Sequence, residues 1–323
     1  MTNDTATSIQ PATSLQPAAD PTFARLSLGT APDSWGIWFP DDPRQPHWST
    51  FLDEVAESGY RTIELGPYGY LPTDPERLRD ELGQRGLSLT GGTVGTALHR
   101  GKDSLEQARK DAFEVCALLA EFEVHHLVVL PEQYTDLHTG ALTQPAELTA
   151  EEWRSLTEGH SALGRMIADE FAAVQGFHPH VDTHVDTQEF IERFLQNTDP
   201  ATVSLCLDTG HVSYCSGDNS EIVARHPDRI SYVHLKQVDP GVAAQARADK
   251  VGFYEAVQRG AMVEPPLGIP TMEPLLKDLA ALGRDLRLII EQDMYPAPPG
   301  SAKQIATRTR DYFAGIGLLP AEF

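Results

Sequence analysis

A chain of 323 residues with 41% hydrophobic side chains can bury one large core, and a (β/α)8 barrel needs about 250 residues before insertions. Against 25 basic side chains stand 47 acidic ones, a formal net charge of −22 that argues against nucleic acid and anionic membrane, both of which call for basic patches. No run of 18 apolar residues is present, so no transmembrane helix is expected. The three cysteines, Cys116, Cys206 and Cys215, show no CxxC spacing and read as free thiols of a reducing, cytoplasmic compartment.

Residues 1–24 are rich in Thr, Ser, Pro and Ala, without a cationic start and apolar run, and read as a disordered tail before a catalytic domain at 25–323. Strand-like and helix-like stretches then alternate. Leu26 to Thr30 is the first strand, followed by a loop holding Trp35 and Trp38. The spacing of Phe51, Leu52, Val55 and Ala56 predicts a helix over 48–58, and 61–66 is the second strand. A helix over 75–85, a strand over 87–94, a helix over 104–121 and a strand over 126–131 come next. After a long loop, a helix over 151–174 leads to a fifth strand ending at His178 or His180. A helix over 188–196, a strand over 203–208, a short helix at 221–225 and a strand over 230–236 follow. An interrupted helical stretch at 242–257, a Pro-rich loop at 263–270, a helix over 272–282, a strand over 286–292 and a closing helix over 302–314 complete the chain.

Eight strands, each followed by helical sequence, imply parallel pairing and a single closed (β/α)8 TIM barrel. The alternative, a doubly wound open sheet, is weakened by the absence of a GxGxxG after the first strand.

Four strands of the second half end in ligand-capable side chains: His178 or His180, then Asp208, His234 and Glu291. In a parallel barrel these ends converge on the mouth where chemistry is done. A His/Asp/His/Glu set suits Mn2+, Co2+ or Zn2+. Each residue also has a plainer reading. Asp208 could cap the next helix, His234 could be a core histidine bonded to a carbonyl, and Lys236 could form a rim salt bridge. Glu291 follows Leu288-Ile289-Ile290, and a metal would satisfy a carboxylate that is otherwise costly to bury. Lys236 and Asp293 lie two residues beyond His234 and Glu291, on the same sides of their strands, and can face the same site. His211 could reach substrate. Asp186, three residues before Glu189, reads as a capping box. Trp35 and Trp38 offer faces to a sugar-like ring, against a null of loop packing, and Glu64 could bond substrate hydroxyls.

The stretches Gly29-Thr30-Ala31-Pro32-Asp33-Ser34-Trp35-Gly36, Ile63 to Pro72, His178-Pro179-His180, Asp208-Thr209-Gly210-His211, His234-Leu235-Lys236 and Glu291-Gln292-Asp293 resemble inosose dehydratases of the xylose-isomerase-like sugar isomerase/epimerase barrel superfamily. The likeness runs from about residue 27 to 317. It implies a divalent metal, Mn2+ first with Co2+ or Zn2+ as alternatives, held by Asp208, His234 and Glu291. Many members carry Glu on the fifth strand where this chain offers His178. A neutral fourth ligand would raise the charge of the site by one. A second departure is Pro266-Leu267-Gly268-Ile269-Pro270, where an acidic, glycine-rich stretch is usual; this loop is expected to border the pocket.

The implied activity is that of a metal-dependent hydro-lyase acting on a cyclic keto-polyol, dehydrating 2-keto-myo-inositol through an enolate. Glu291, His211 and His180 are candidate bases, and Lys236 or a histidine is the candidate acid. Trp35, Trp38, Glu64, His180, His211 and Asp293 are expected at the substrate. A 3-keto-glycoside lyase or a ketose isomerase or epimerase would use the same site, and a non-catalytic sugar-binding subunit would not need the four ligands. The expected partner is a small keto-polyol or keto-sugar, with no nucleic acid and no membrane; a homo-oligomer or a partner subunit stays open.

Overall fold

The computed structural model describes residues 19–320. Its strands are β1 (Leu26–Thr30), β2 (Thr62–Glu64), β3 (Ser88–Thr96), β4 (His126–Pro131), β5 (Val174–Phe177), β6 (Val203–Asp208), β7 (Ile230–Leu235), β8 (Gln237–Val238), β9 (Met262–Val263) and β10 (Leu286–Ile290). Eight of them close a parallel barrel in the order β1-β10-β7-β6-β5-β4-β3-β2. β8 and β9 form a separate antiparallel pair on the excursion after β7.

The strands are largely buried on both faces, one turned to the barrel interior and the other to the helices. Val128, Cys206, Tyr232 and Ile289 form a cluster that fills the barrel interior with Ala31, and Tyr232 Oη meets Thr90 Oγ1 at 2.8 Å. Outside, helices such as Trp48–Glu57 bury Phe51, Leu52 and Val55 against the strands. Burial of such side chains contributes about 1.5–3 kcal/mol each.

Boundaries differ from the sequence reading where strand character stops early. β2 covers only 62–64, and β5 ends at Phe177, so His178 and His180 stand on the following loop. Thr209–Tyr214 is an unforeseen helix capped by Asp208, and the stretch 242–257 resolves into helices Pro240–Asp249 and Phe253–Gln258. Asp186 is not the expected cap: Thr187 Oγ1 accepts the Phe190 N–H. Of the segment expected as a disordered tail, residues 1–18 lie outside the described residues. Residues 19–24 belong to the barrel instead: Phe23 is buried, and the Asp20 N–H donates to the Gly317 carbonyl at 2.9 Å. Cys116, Cys206 and Cys215 are free, and no helix among the described residues is long and apolar enough to cross a membrane.

Candidate active site

Register brings the polar strand ends together. Asp208 on β6 pairs with His234 on β7, and His234 pairs with Ile289 on β10, two residues before Glu291. His178 follows β5 directly, its N–H donating to the Val129 carbonyl at 3.0 Å. One ligand atom from each of His178, Asp208, His234 and Glu291 lies within 4.8 Å of the others. Of the two histidines between which the sequence left the choice open, His178 belongs to this cluster and His180 stands outside it.

Each donor is aimed. Asp208 is the helix cap its sequence allowed, Oδ1 accepting the His211 N–H at 2.7 Å, while Oδ2 faces His178 Nε2 at 3.4 Å. His234 Nε2 is 3.0 Å from Glu64 Oε2, and the other Glu64 oxygen accepts from Thr93 Oγ1 at 2.7 Å. His234 Nδ1 lies 2.8 Å from Glu291 Oε2; against burial, which lowers it, Cys206, Glu291 and Glu64 raise the imidazole well above its ordinary value. With Nε2–H donated to Glu64, a cation would take the place of the Nδ1 proton, which is the tautomer a metal takes. His178 Nδ1 has no hydrogen bond. Buried nitrogen atoms without a partner cost stability. Two imidazoles and two carboxylates with their donor atoms this close fit a divalent cation.

Lys236 is also buried here. Its Nζ lies 2.8 Å from Asp293 Oδ2, 3.1 Å from Glu291 Oε2, 3.2 Å from Asp208 Oδ2 and 3.2 Å from His211 Nε2. Gly210 makes room for it, since a Cβ there would meet Lys236 Cγ at 2.5 Å. Burial alone would push the ammonium down, but Asp208, Asp293, Glu291 and Asp33 lift it well above the usual lysine range. Burial works to raise Glu291, but His234 and Lys236 hold it down at about 2. Burial, with His178 and Lys236 nearby, pushes His180 down to about 3, and burial with His180 and Lys236 pushes His211 well below its ordinary value. Both imidazoles are therefore neutral acceptors, while Lys236 keeps its proton.

The cavity over this cluster has a volume of about 580 Å3. His178, His180, His211, His234, Lys236, Glu291 and Asp293 line its floor. It extends outward to Tyr68, Asp111 and Glu114. Trp38 lines it and stacks on Tyr295, ring centroids 4.8 Å apart. Trp35 does not line it. Its ring is buried, packs edge-on against Phe51 at 5.1 Å and donates Nε1–H to Glu54 at 2.8 Å, which makes it a packing residue. Glu64 lines the cavity, with one oxygen at His234 and the other at Thr93. The loop over Pro266–Pro270 is also displaced from expectation. Ile269 pairs with Val238, Leu267 is exposed, and no residue of the loop lines the cavity.

Two residues at the cavity escaped the sequence reading. Asp33, in the turn after β1, points Oδ2 toward Lys236 at 3.9 Å; burial and Glu291 raise its carboxyl well above the usual range. Asp33 stands three residues past the end of β1, in a turn where strand periodicity no longer says which way a side chain points. Phe253 comes from the excursion after β7 and packs on His180 and His211 at 4.9 and 5.1 Å. An aromatic so far from a strand end carries no sequence signal.

The sequence matches the family described as "Xylose isomerase-like TIM barrel" over residues 52–312. The inosose dehydratase of Geobacillus kaustophilus (strain HTA426) is 33% identical over 252 residues, 76% of this chain and 80% of that protein. The inosose dehydratase of Geobacillus thermodenitrificans (strain NG80-2) is 29% identical over 285 residues, 84% of this chain and 91% of that protein. Among solved structures, the IolI protein with a bound zinc atom superposes with a TM-score of 0.66 at 14% identity, covering 90% of this chain and 97% of its own. The probable 3-DHS dehydratase AsbF from Bacillus anthracis gives 0.66 at 15% identity, covering 89% and 98%. At such identities these two establish the fold alone. The closed barrel and the family match over most of its length together place this chain in the xylose isomerase-like TIM-barrel family, as an inosose dehydratase-like member.

Proposed function

We propose that the chain is a divalent-metal-dependent hydro-lyase that removes water from a cyclic keto-polyol of the inosose class. It is an enzyme of the dehydratase, isomerase and epimerase type, as its curated relatives are inosose dehydratases. The observation that carries the reading is the cluster of His178, Asp208, His234 and Glu291, with His234 Nδ1 turned inward to Glu291 Oε2 at 2.8 Å. When bound there, a cation such as Mn2+ (Co2+ and Zn2+ suit the same donors) polarises the ketone and stabilises the charge left when the α-proton departs.

The chain's own residues do the rest. His180 Nδ1 lies 2.7 Å from the Val181 carbonyl and donates to it, so Nε2 is the accepting atom and a base for the α-proton. His211 Nε2 accepts a hydrogen bond from the Lys236 ammonium at 3.2 Å and so helps to position the acid. Lys236, held protonated by three carboxylates, donates to the departing β-hydroxyl, which leaves as water. The C–H electron pair becomes the new C=C bond, and the product is a conjugated unsaturated ketone. Trp38 and Phe253 exclude water from one side of the floor.

One observation favours a second reading. The cavity continues past the floor to Tyr68, Asp111 and Glu114, room that a single six-membered ring does not need. A β-substituent larger than hydroxyl would make the enzyme a lyase of 3-keto-glycosides, and reprotonation of the enolate would make it an epimerase. Incubation of the Mn2+-loaded protein with an inosose in D2O, read by ultraviolet absorbance and proton NMR, separates the three. Conjugated product supports dehydration. Deuterium uptake at the α-carbon without elimination moves the assignment to epimerisation. Silence with the inosose and release of alcohol from a 3-keto-glycoside moves it to the lyase.

A further inference from the structure

The excursion after β7 carries its own apolar cluster, in which Val238, Ala243, Ala246, Phe253, Ala256 and Met262 pack on Val181 and Tyr214 of the loops after β5 and β6. Its helix Phe253–Gln258 starts at Gly252, which has no side chain to cap it. The cap comes from another loop. Asp182 Oδ2 accepts the Phe253 N–H at 2.9 Å and the Thr135 Oγ1–H at 2.9 Å, and the Asp182 carbonyl accepts the Tyr134 N–H at 2.8 Å. One side chain thus ties the loops after β4, β5 and β7. The fit is close: a Cβ on Gly252 would meet Gly140 Cα at 2.6 Å. Asp182 itself sits at φ 62°, a left-handed conformation that Asp and Asn adopt more readily than most residues.

The consequence lies one residue back along the chain. Val181 takes the His180 Nδ1–H on its carbonyl, and its own N lies 3.5 Å from His211 Nδ1. The two imidazoles stack with ring centroids 3.9 Å apart, and the Phe253 ring abuts both. Backbone on one side and Phe253 on the other therefore hold the pair, and Asp182 is the residue joined to both supports.

We propose that Asp182 is a positioning residue that fixes the His180 and His211 imidazoles by clamping Phe253 and the loops after β4 and β5 over the barrel mouth. The proposal rests on reading His180 as the base and His211 as the partner of the Lys236 acid in the reaction above. A clamp of this kind acts on the geometry of proton transfer, not on substrate affinity, so its loss appears in kcat and leaves KM in place.

The test uses Asp182→Gly, which keeps the left-handed backbone while deleting the side chain, and Asp182→Asn, which keeps an accepting oxygen in the same conformation. Hydrogen exchange at the Phe253 amide reads the clamp without any substrate. In Asp182→Gly that exchange should rise about tenfold, the equivalent of one lost hydrogen bond. Its kcat should fall about 10- to 100-fold at unchanged KM, with bound Mn2+ unchanged, because misplacement by an ångström costs that much. Asp182→Asn should restore most of both. Unchanged exchange in Asp182→Gly would show that Asp182 is no clamp. Faster exchange with kcat intact, or with KM raised and kcat intact, would show that the clamp does not act through the imidazoles. If the wild type turns over no keto-polyol, the assigned reaction fails, while the exchange arm still decides whether the clamp exists.

Discussion

Glu64 Oε2 stands 3.0 Å from His234 Nε2, and Thr93 holds the second Glu64 oxygen at 2.7 Å. A carboxylate on β2 thereby fixes which nitrogen of a β7 imidazole faces the barrel axis. Such outer partners of a metal-ligating histidine change affinity without touching the ion. Replacing Glu64 by Gln should weaken Mn2+ binding about 10- to 100-fold in a calorimetric titration while leaving the circular dichroism spectrum unchanged. Wild-type affinity in Glu64→Gln would show that Glu64 does not aim a ligand.

Lys236 balances Asp208, Glu291 and Asp293 from within. Lys236→Met removes the only ammonium in contact with these three among the described residues and leaves their carboxylates facing each other. The metal-free variant should melt several degrees below the wild type, and added Mn2+ should raise its melting temperature more than it raises that of the wild type, because the ion then carries all of the compensation. Turnover of the keto-polyol should fall about 100-fold or more for want of the acid. Equal melting shifts on adding metal would contradict this electrostatic account.

Trp35 and Trp38 are three residues apart and have separate tasks. Trp35→Phe loses the bond to Glu54 and some packing on Phe51, and should cost about 1–3 kcal/mol in a denaturant titration with KM unchanged. Trp38→Ala, at the cavity wall, should raise KM. A raised KM in Trp35→Phe would return that ring to the substrate.

This pair also shows where sequence reading stops. The strand-end residues were legible because a parallel barrel turns the C-terminal ends of its strands to one mouth, whatever the loops do. Asp208, His234 and Glu291 needed only the correct strand ends, and these were set by apolar runs such as Leu205-Cys206-Leu207. Direction along a loop has no such periodicity. Trp35 turns inward because Pro32–Trp35 forms a 3-10 turn over Phe51, and Asp33 turns to the cavity for the same reason. The Pro266–Pro270 loop was drawn away from the mouth by a single bridge between Ile269 and Val238, too short to announce itself. Asp182 and Phe253 meet only through tertiary contact, 71 residues apart.

Acid should unfold the protein through histidines far from the mouth. Burial holds His160 at about 3, its ring against Phe177 and Phe194, and burial with Arg287 nearby holds His126 at about 4. In the unfolded chain each titrates near 6.5. Between those values the unfolded chain binds the extra protons, so stability falls as pH drops below about 6.5, by about 1.4 kcal/mol per pH unit for each group. His160→Leu should remove one such contribution from the slope of unfolding free energy against pH between 6 and 4. An unchanged slope would show that His160 is protonated in the fold.

His178, Asp208, His234 and Glu291 are proposed to hold one cation, and metal content read beside turnover tests this most directly. Metal-stripped protein reloaded with Mn2+ should bind one equivalent by elemental analysis and convert an inosose to conjugated product. Glu291→Gln should bind less metal and lose turnover in step. Full turnover by the stripped protein, or one equivalent of metal retained in the combined His178→Ala and Asp208→Asn variant, would contradict it.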